Sequence, residues 1–311
     1  MKHFNQTDLN FTGINFNFCQ DKFYVSYRPC GRPIQNLRKE FETRAKNLSN
    51  YSKKLMLCLS SGLDSQAVMH SFFSQGIKID YAFLYQPGFN ETEYENIQIL
   101  EKKYNFKAIV IEIDPEKVKD KVLDLHKKLN LPPNQILHKM FVEQLPEDAD
   151  ILQGVHGPDF LQHENKWYMF ESANSFEISR LRSLLLIDRS GRIIGFERTP
   201  EILCSLLDDE ITKAFLCSYH YIKNNRLIYD NGESIPMIDY WDLYLKPFFY
   251  GKYWKDELEY FPKYQGCEKI DYIINGPKNQ YEKNLVMMSY VDLVNFLKCG
   301  RTGKKIFKEY Q

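Results

Sequence analysis

A run of apolar residues that ends in a turn rich in serine and glycine constrains this chain more than any other feature. Residues 55–59 read LMLCL, residues 60–65 read SSGLDS, and a helix-forming segment follows at once. A short continuous apolar run is typical of a strand buried on both faces. The first N–H groups of a helix lack partners and its dipole is positive there, so strand, turn and helix together form an anion site. The sequence therefore predicts a phosphate-binding loop over residues 60–65.

The residues around this loop repeat the pattern of strand and helix. Further strands are predicted over 79–85, 107–113 and 149–153, with helices over 66–76, 92–105, 115–129 and 134–145. This alternation predicts an α/β fold with a doubly wound parallel sheet, in which ligands bind beyond the carboxyl ends of the strands. Three polar or glycine-bearing turns follow strands at that edge: 60–65, 85–88 and 154–159.

The flanking segments divide the chain into three predicted parts. Residues 1–33 form an N-terminal extension with a β-hairpin over 14–28, where apolar and polar residues alternate. Residues 34–165 form the phosphate-loop domain and begin with an amphipathic helix over 34–50. Residues 166–311 form a mostly helical substrate or lid lobe, with a short strand over 166–171 and helices over 177–187, 200–208, 209–223 and 289–298.

Asp64 lies inside the predicted phosphate loop, where a carboxylate repels phosphate unless a cation lies between them. Mg²⁺ takes oxygen ligands, commonly one or two carboxylates together with phosphates. Gly62 allows a close approach of the backbone, and the hydroxyls of Ser60, Ser61 and Ser65 can donate hydrogen bonds. A Walker-type loop ending in Gly-Lys-Ser/Thr is absent from the sequence. The loop therefore predicts a site for magnesium and a polyphosphate.

Charge and cysteine usage narrow the class of protein. Lys plus Arg equals Asp plus Glu at 41 each, which argues against non-specific binding of nucleic acid. The seven cysteines are scattered and contain no C-x-x-C pair, which argues against a disulfide framework and a structural zinc site and favours a reducing cytoplasm. No signal region and no membrane-spanning run is visible in the sequence. We expect a cytoplasmic protein with a small-molecule substrate and no membrane partner, and a homo-oligomer stays open.

The segment LSSGLDS after a buried strand resembles the PP-loop of the N-type ATP pyrophosphatases, whose common form is Ser-Gly-Gly-x-Asp-Ser. The similarity is greatest to the synthetase domain of asparagine synthetase. There too an amphipathic helix precedes the loop strand, and a loop with a Gly-x-Asp core, here Gly157-Pro158-Asp159, follows the fourth strand. The resemblance covers residues 34–163. It implies an adenine nucleotide alpha hydrolase-like (HUP-type) fold with ATP and Mg²⁺ as cofactors.

The resemblance also implies roles for individual residues. Asp64 and Asp159 would share the magnesium and take part in catalysis. No motif marks the lysine that the family uses; Lys246 is our candidate, and Lys252 and Lys263 stay open. The implied ATP-binding residues are Leu57, Leu59, Ser60, Ser61, Gly62, Leu63, Asp64, Ser65, Leu84, Tyr85, Gly154 and Gly157. Four of them would face the adenine: Leu57, Leu59, Leu84 and Tyr85. The implied activity is that of an AMP-forming ligase that adenylates a small carboxylate-bearing substrate and releases pyrophosphate.

The sequence also departs from the family pattern. Ser61 replaces the first glycine of the loop, and Phe160 stands where a glutamate usually follows the second-loop aspartate. The chain begins Met1-Lys2, without the cysteine that serves as the glutaminase nucleophile in asparagine synthetase, so we expect no glutaminase domain. Two other functions stay open: a sulfur-transfer enzyme of the phosphoadenosine-phosphosulfate reductase or tRNA thiolase type, and an ATP-binding module without turnover.

Overall fold

The computed structural model describes residues 14–19, 22–27, 30–129, 131–154, 159–163, 166–170, 187–208, 221–223, 226–228, 234–236 and 246–261. The first two strands, β1 (Ile14–Cys19) and β2 (Lys22–Tyr27), pair in antiparallel fashion from Ile14 opposite Tyr27 to Cys19 opposite Lys22. The hairpin predicted over residues 14–28 is therefore present.

The next part of the chain alternates strands and helices in the predicted order. Its elements are α1 (Leu37–Tyr51), β3 (Leu55–Cys58), α2 (Leu63–Phe73), β4 (Asp80–Tyr85), α3 (Glu91–Tyr104), β5 (Ala108–Glu112), α4 (Lys119–Leu129), α5 (Pro133–Val142) and β6 (Asp150–Gln153). Helix α1 begins later than predicted because Asn36, in extended conformation, caps it by accepting the N–H of Lys39 at 3.0 Å.

The described residues beyond β6 contain short strands as well as helices. They form β7 (Asp159–His163), β8 (Lys166–Phe170), β9 (Ile193–Gly195), α6 (Pro200–Asp208), β10 (Tyr221–Lys223), β11 (Arg226–Ile228), β12 (Ser234–Pro236), α7 (Lys246–Trp254) and a 3-10 turn (Lys255–Glu257). β7 pairs with β8, and β10, β11 and β12 form a three-stranded antiparallel sheet.

Some of the predictions for this region are confirmed and others are corrected. Element α6 confirms the helix over 200–208, and β8 confirms the strand over 166–171. The end of the helix predicted over 209–223 is wrong, because residues 221–223 form β10 and pair with β11. Except for Ile187, the helices predicted over 177–187 and 289–298 lie outside the described residues. The three-residue strands are too short to show an alternating pattern in the sequence.

Five parallel strands form the main sheet in the order β5-β4-β3-β6-β9. Met56 in the central strand β3 lies opposite Asp80 on one side and Ile151 on the other. With helices packed on it, this sheet confirms the predicted α/β fold class. The fifth strand, β9, was not predicted.

The sheet is covered on both faces. On one face, a hydrophobic cluster joins Leu57 to residues of α1, α2, α3, α6 and α7. On the other face, a second cluster joins Met56 to residues of α4 and α5. Adjacent residues of β3 therefore enter different cores, and Met56 and Leu57 both have no exposed surface. This explains why the strand reads as a continuous apolar run.

An ion pair ties strand β6 to the segment before β9 at the amino end of the sheet. The Asp150 carboxylate accepts hydrogen bonds from the Arg192 N–H at 2.7 Å, from Arg192 Nη2 at 2.5 Å and from the Ser52 hydroxyl at 2.6 Å. Burial acts to raise the pKa of Asp150, but the hydrogen bonds from Arg192 and Ser52 outweigh it, so the pKa lies below its ordinary value of 3.8. The carboxylate therefore stabilises the fold when it is charged.

This lowered pKa predicts how stability changes with acid. The contribution of Asp150 is fully present above pH 3.8 and is lost as the pH falls from there through the folded-state pKa. We expect Asp150→Asn to lower the free energy of unfolding at pH 7 by about 1–2 kcal/mol, and the difference from wild type to shrink below pH 4. The free energy of unfolding in urea is measured at a series of pH values, from pH 7 down to the pH at which acid alone unfolds the protein. The control is Asp148→Asn, at an exposed neighbouring position. A difference that stays constant over that whole range contradicts the assignment.

Candidate functional site

The loop over residues 59–62 leaves the sheet where the strand order reverses. From β3 the chain proceeds to β4 on one side, whereas from β6 it proceeds to β9 on the other side. The last residues of β3 and β6, Cys58 and Gln153, lie opposite each other in register. In open α/β sheets, a reversal of this kind leaves a crevice at the carboxyl ends of the strands, where ligands bind. The phosphate loop predicted from the sequence therefore lies at the switch point of the sheet.

The Ser65 hydroxyl holds the loop closed. Its Oγ donates toward the carbonyl oxygens of Ser60, at 2.6 Å, and of Gly62, at 3.0 Å. It also accepts the Ser60 N–H at 3.2 Å and lies 3.0 Å from Ser60 Oγ. Since Ser65 is buried, this side chain shapes the loop from inside. Ser60 is partly exposed, and its hydroxyl in turn accepts the Gly62 N–H at 3.3 Å.

Ser61, which replaces the usual glycine, is turned into the protein. Its Oγ accepts a hydrogen bond from Asn96 Nδ2 at 3.4 Å, and its carbonyl accepts one from Gln66 Nε2 at 2.8 Å. The side chain is only 6% exposed. From the sequence, this hydroxyl was predicted to bind phosphate, but the structure places it in a buried contact between the loop and α3.

Helix α2 begins immediately after Gly62, which occupies the N-cap position without a side-chain cap. The first i→i−4 hydrogen bond is made by the Gln66 N–H to the Gly62 carbonyl at 3.1 Å, so the N–H groups of residues 63–65 precede it. Gly62 has φ −69° and ψ 151°, which any residue can adopt. A Cβ at this exposed position would meet only Ser60 Oγ, at 3.4 Å. Glycine is a favoured N-cap residue, and here it leaves the surface beside the helix N-terminus open.

Gly154, in contrast, is favoured by a close backbone contact. It follows β6, and a Cβ at this position would lie 3.1 Å from both the Cα and the N of Ser65. The ends of β6 and of the loop therefore touch, so this predicted site residue lies beside the helix N-terminus. Asp159 begins β7, five residues further along, and its side chain lies outside the described set, as does the whole of Gly157.

Asp64 is partly exposed in the first turn of α2, and Oδ1 accepts a hydrogen bond from the Tyr250 hydroxyl at 2.6 Å. Burial, followed by the carboxylates of Asp64 and Glu197, raises the pKa of Tyr250 well above its ordinary value of 10.0. The phenol therefore stays protonated at neutral pH and acts as a donor. This contact joins α7 to the predicted phosphate loop across 186 residues of sequence.

Asp64 is a candidate protein ligand for a magnesium ion at this loop. Among the residues whose side chains the structure describes, no three His, Cys, Asp or Glu groups come together as a metal site. Mg²⁺, however, commonly binds one or two carboxylates and takes its other oxygens from phosphates and water. Asp64 supplies one carboxylate beside a helix N-terminus that favours anions. Asp159 remains the proposed second ligand.

The four residues predicted to face adenine lie on different faces of the sheet. Leu57 and Leu59 are 0% and 3% exposed and belong to the same core cluster. Tyr85 packs partly exposed against that cluster, and Leu84 packs against the other one. Leu57 and Leu59 therefore have only main-chain atoms to offer a base. Leu84 and Tyr85 keep exposed surface at the end of β4.

A hydrogen-bond chain behind the loop was not predicted from the sequence. Gln153 Nε2 donates to Cys58 Sγ at 3.0 Å, and Gln153 Oε1 lies 3.0 Å from His138 Nε2. Gln153 is 1% exposed, and it ties the ends of β3 and β6 to helix α5. Because the three residues are far apart in sequence and share no motif, no local pattern could have revealed this chain. It lies at the sheet edge from which the predicted phosphate loop starts.

Comparison with known proteins gives distant structural similarity alone. No protein-family model matches the chain, and no curated protein matches it. A structure described as a predicted subunit of a tRNA methyltransferase from Methanocaldococcus jannaschii is 16% identical over 53% of this chain and 76% of that one, with a TM-score of 0.29. NAD+ synthetase from Burkholderia pseudomallei is 12% identical over 60% of this chain and 91% of that one, with a TM-score of 0.25. With TM-scores this low, neither structure indicates a function for this chain.

In the part of the chain that the structure describes, no helix is both long enough and apolar enough to cross a membrane.

Proposed function

We propose that this protein is an ATP pyrophosphatase-type ligase of the PP-loop class. It would cleave ATP between the α and β phosphates to adenylate a small carboxylate-bearing substrate, as asparagine synthetase-like enzymes do. The observation that carries the proposal is the loop over residues 60–65 at the switch point of the sheet. That loop combines an open glycine at a helix N-terminus with a carboxylate, Asp64, in the first helical turn. A phosphate alone would be repelled by this carboxylate, whereas a phosphate with a divalent cation would not.

In the proposed complex, the pyrophosphate part of ATP lies against the N-terminus of α2, beside Gly62. The N–H groups of residues 63–65 donate to it, and the helix dipole favours its charge. The adenine lies at the carboxyl ends of β3 and β4, where Leu84 and Tyr85 are partly exposed. The α-phosphate would then lie between these two positions, and Gly154, which meets Ser65, would lie near it.

The proposed reaction has two steps. A carboxylate oxygen of the substrate attacks the α-phosphorus, the bond from that phosphorus to the bridging oxygen breaks, and pyrophosphate leaves with the bonding electrons. A nitrogen nucleophile then attacks the carbonyl carbon of the acyl-adenylate, and AMP leaves. The N–H groups at the helix start stabilise the charge that develops on pyrophosphate. Bound Mg²⁺ would add charge neutralisation, and Asp64 and Asp159 are its proposed protein ligands.

The position of Lys246 supports its proposed role as the lysine that faces the transferred group. It is the first residue of α7, and Tyr250, which contacts Asp64, follows four residues later. Residues four apart lie on the same face of a helix, one turn from each other. The backbone of Lys246 therefore lies one helical turn before Tyr250. Lys252 lies on another part of α7, with its Nζ 5.1 Å from the Tyr253 ring centre.

The open surface at Gly62 leads to a prediction. We expect Gly62→Ala to lower the free energy of unfolding by no more than about 1 kcal/mol, the cost of alanine in place of glycine at an N-cap, because the methyl group meets only one side-chain atom at an ordinary distance. The same methyl group would stand where phosphate approaches, so affinity for ATP with magnesium should fall about tenfold, or about 1.4 kcal/mol. Urea unfolding and titration calorimetry measure the two quantities. Unchanged affinity would mean that the ligand does not approach Gly62.

The proposal is tested by exchange of labelled pyrophosphate into ATP in the presence of pools of small carboxylic acids. Adenylation is reversible, so exchange that depends on one pool and on Mg²⁺ is the expected result, and dividing the pool then identifies the acid. Exchange that needs a tRNA in place of an acid would favour the sulfur-transfer alternative. Binding of ATP with no exchange in any pool would favour the module without turnover.

A further inference from the structure

We infer that Tyr250 is a positioning residue, which holds the Asp64 carboxylate in the orientation that binds the cation. The inference rests on the proposed function, since it assigns Asp64 to the magnesium site. Its direct support is the hydrogen bond of 2.6 Å from the Tyr250 hydroxyl to Asp64 Oδ1. Partners that orient a metal-binding side chain commonly matter almost as much as the ligand itself.

The Tyr250 ring is held firmly by its own surroundings. It is 6% exposed, and its centre lies 5.3 Å from the Trp254 ring, one turn further along α7. Trp254 is 1% exposed and packs edge-on against Phe41 of α1 at 5.3 Å. Because these aromatic rings are part of the main core, the hydroxyl is presented from a fixed point. A carboxylate bound to a fixed donor loses much of its freedom to rotate.

Gln66 provides a second, independent attachment between the same two segments. Its Nε2 donates to the carbonyl of Ser61 in the loop, at 2.8 Å, and to the carbonyl of Glu259, also at 2.8 Å. Its Oε1 accepts the Glu259 N–H at 2.8 Å. Gln66 has no exposed surface, so this bridge is shielded from water. Two residues of α2, Asp64 and Gln66, therefore fix the loop to residues 250–259.

Contacts to the neighbouring helices hold residues 253–259 in place. Arg38 Nη1 donates to the carbonyl of Tyr253 at 3.0 Å, and Lys103 Nζ lies 2.5 Å from Glu259 Oε1. The Tyr104 hydroxyl donates to the carbonyl of Glu257. Helices α1, α2 and α3 thus all hold this segment. The contact of Tyr250 with Asp64 is part of an extended, anchored interface.

The expected consequence concerns the cation more than the nucleotide. Tyr250 contacts the Asp64 side chain, whereas the N–H groups that receive phosphate belong to the main chain of residues 63–65. Without the hydroxyl, the Asp64 carboxylate would occupy several rotamers. Restricting it to one rotamer when the cation binds would cost conformational entropy and would therefore weaken cation binding. Binding of the nucleotide without metal should stay the same.

The test is titration calorimetry of full-length Tyr250→Phe with the α,β-methylene analogue of ATP, with increasing Mg²⁺ and in EDTA. We expect the Mg²⁺ concentration that gives half of the metal-dependent gain in affinity to rise about tenfold. Affinity in EDTA should match wild type. In an Asp64→Asn background, adding Tyr250→Phe should have little further effect, because the charge that Tyr250 orients is already gone.

The matched control is Tyr253→Phe, on the same helix, which should leave the Mg²⁺ requirement unchanged. If Tyr250→Phe does not fold, Tyr250→Met provides the same test, since methionine fills irregular space without a hydroxyl. An equal Mg²⁺ requirement in wild type and the folded variant would overturn this inference alone. Wild-type protein that binds the analogue equally with and without Mg²⁺ would overturn the magnesium assignment, and this inference with it.

Discussion

Replacing Asp64 with asparagine is expected to lower the release of pyrophosphate from ATP by about 10³-fold, and to leave the fold intact. The variant removes the negative charge that would hold the cation at the scissile phosphates, and stabilisation of developing charge commonly contributes more to catalysis than any other effect. Asparagine keeps the shape of the side chain, and its amide oxygen can still accept the hydrogen bond from Tyr250. Alanine would leave the buried Tyr250 hydroxyl without this acceptor, at a cost of about 1–3 kcal/mol, and would confuse loss of stability with loss of chemistry.

Steady-state release of pyrophosphate and urea unfolding measure the two halves of this prediction. The control is Asp80→Asn, an exposed carboxylate at the amino end of β4, the opposite edge of the sheet from the loop. It should change neither quantity. Wild-type turnover in Asp64→Asn would remove Asp64 from the magnesium site and with it the main reason for assigning a metal to the loop.

Replacing Gly191 with alanine is expected to destabilise the protein by at least about 3 kcal/mol. The new Cβ would lie 2.0 Å from the carbonyl oxygen of Ala149 and 3.0 Å from that of Glu147. Both are main-chain atoms, and Gly191 also donates its N–H to the Glu147 carbonyl at 2.8 Å. The clash can be relieved only by moving the start of β6 away from β9, since no flexible side chain can yield. Overpacking against backbone is among the more damaging single changes.

The free energy of unfolding in urea tests this prediction, with Gly251→Ala as the control. Gly251 lies inside helix α7, where a Cβ would meet the Tyr260 hydroxyl at an ordinary 3.4 Å. Alanine favours the helix over glycine by up to about 1 kcal/mol, so this control should be neutral or stabilising. Equal stability of the two variants would mean that β6 and β9 do not meet as described.

The elements around the site were predictable because each has its own local pattern. Strand β3 carries an apolar run, since both of its faces are covered, and α1 shows Leu37, Phe41, Ala45 and Leu48 on one buried face. The turn at residues 60–65 is marked by its serines and glycine. From these patterns the sequence predicted four of the five sheet strands and the loop at their carboxyl edge. Strand β9, with three residues, has no such pattern.

The contacts that join the loop to other elements could not be predicted, because they link residues far apart in sequence. Tyr250 stands in an aromatic-rich region without periodicity, so nothing local marks it as a partner of Asp64. Gln66 is one of several polar residues of α2, and its bridge to Glu259 depends on tertiary packing. The inward direction of Ser61 depends on Asn96 of another helix. The loop was therefore predictable from the sequence, whereas the residues that support it were not.

The proposed cleavage of ATP between its α and β phosphates is tested by the products formed from α-labelled ATP. The protein is incubated with this ATP, Mg²⁺ and a small-metabolite extract, and the labelled product is separated. We predict labelled AMP together with pyrophosphate, absent when Asp64→Asn replaces wild type. Labelled ADP with inorganic phosphate would contradict this cleavage, because the loop would then direct attack at the γ-phosphate.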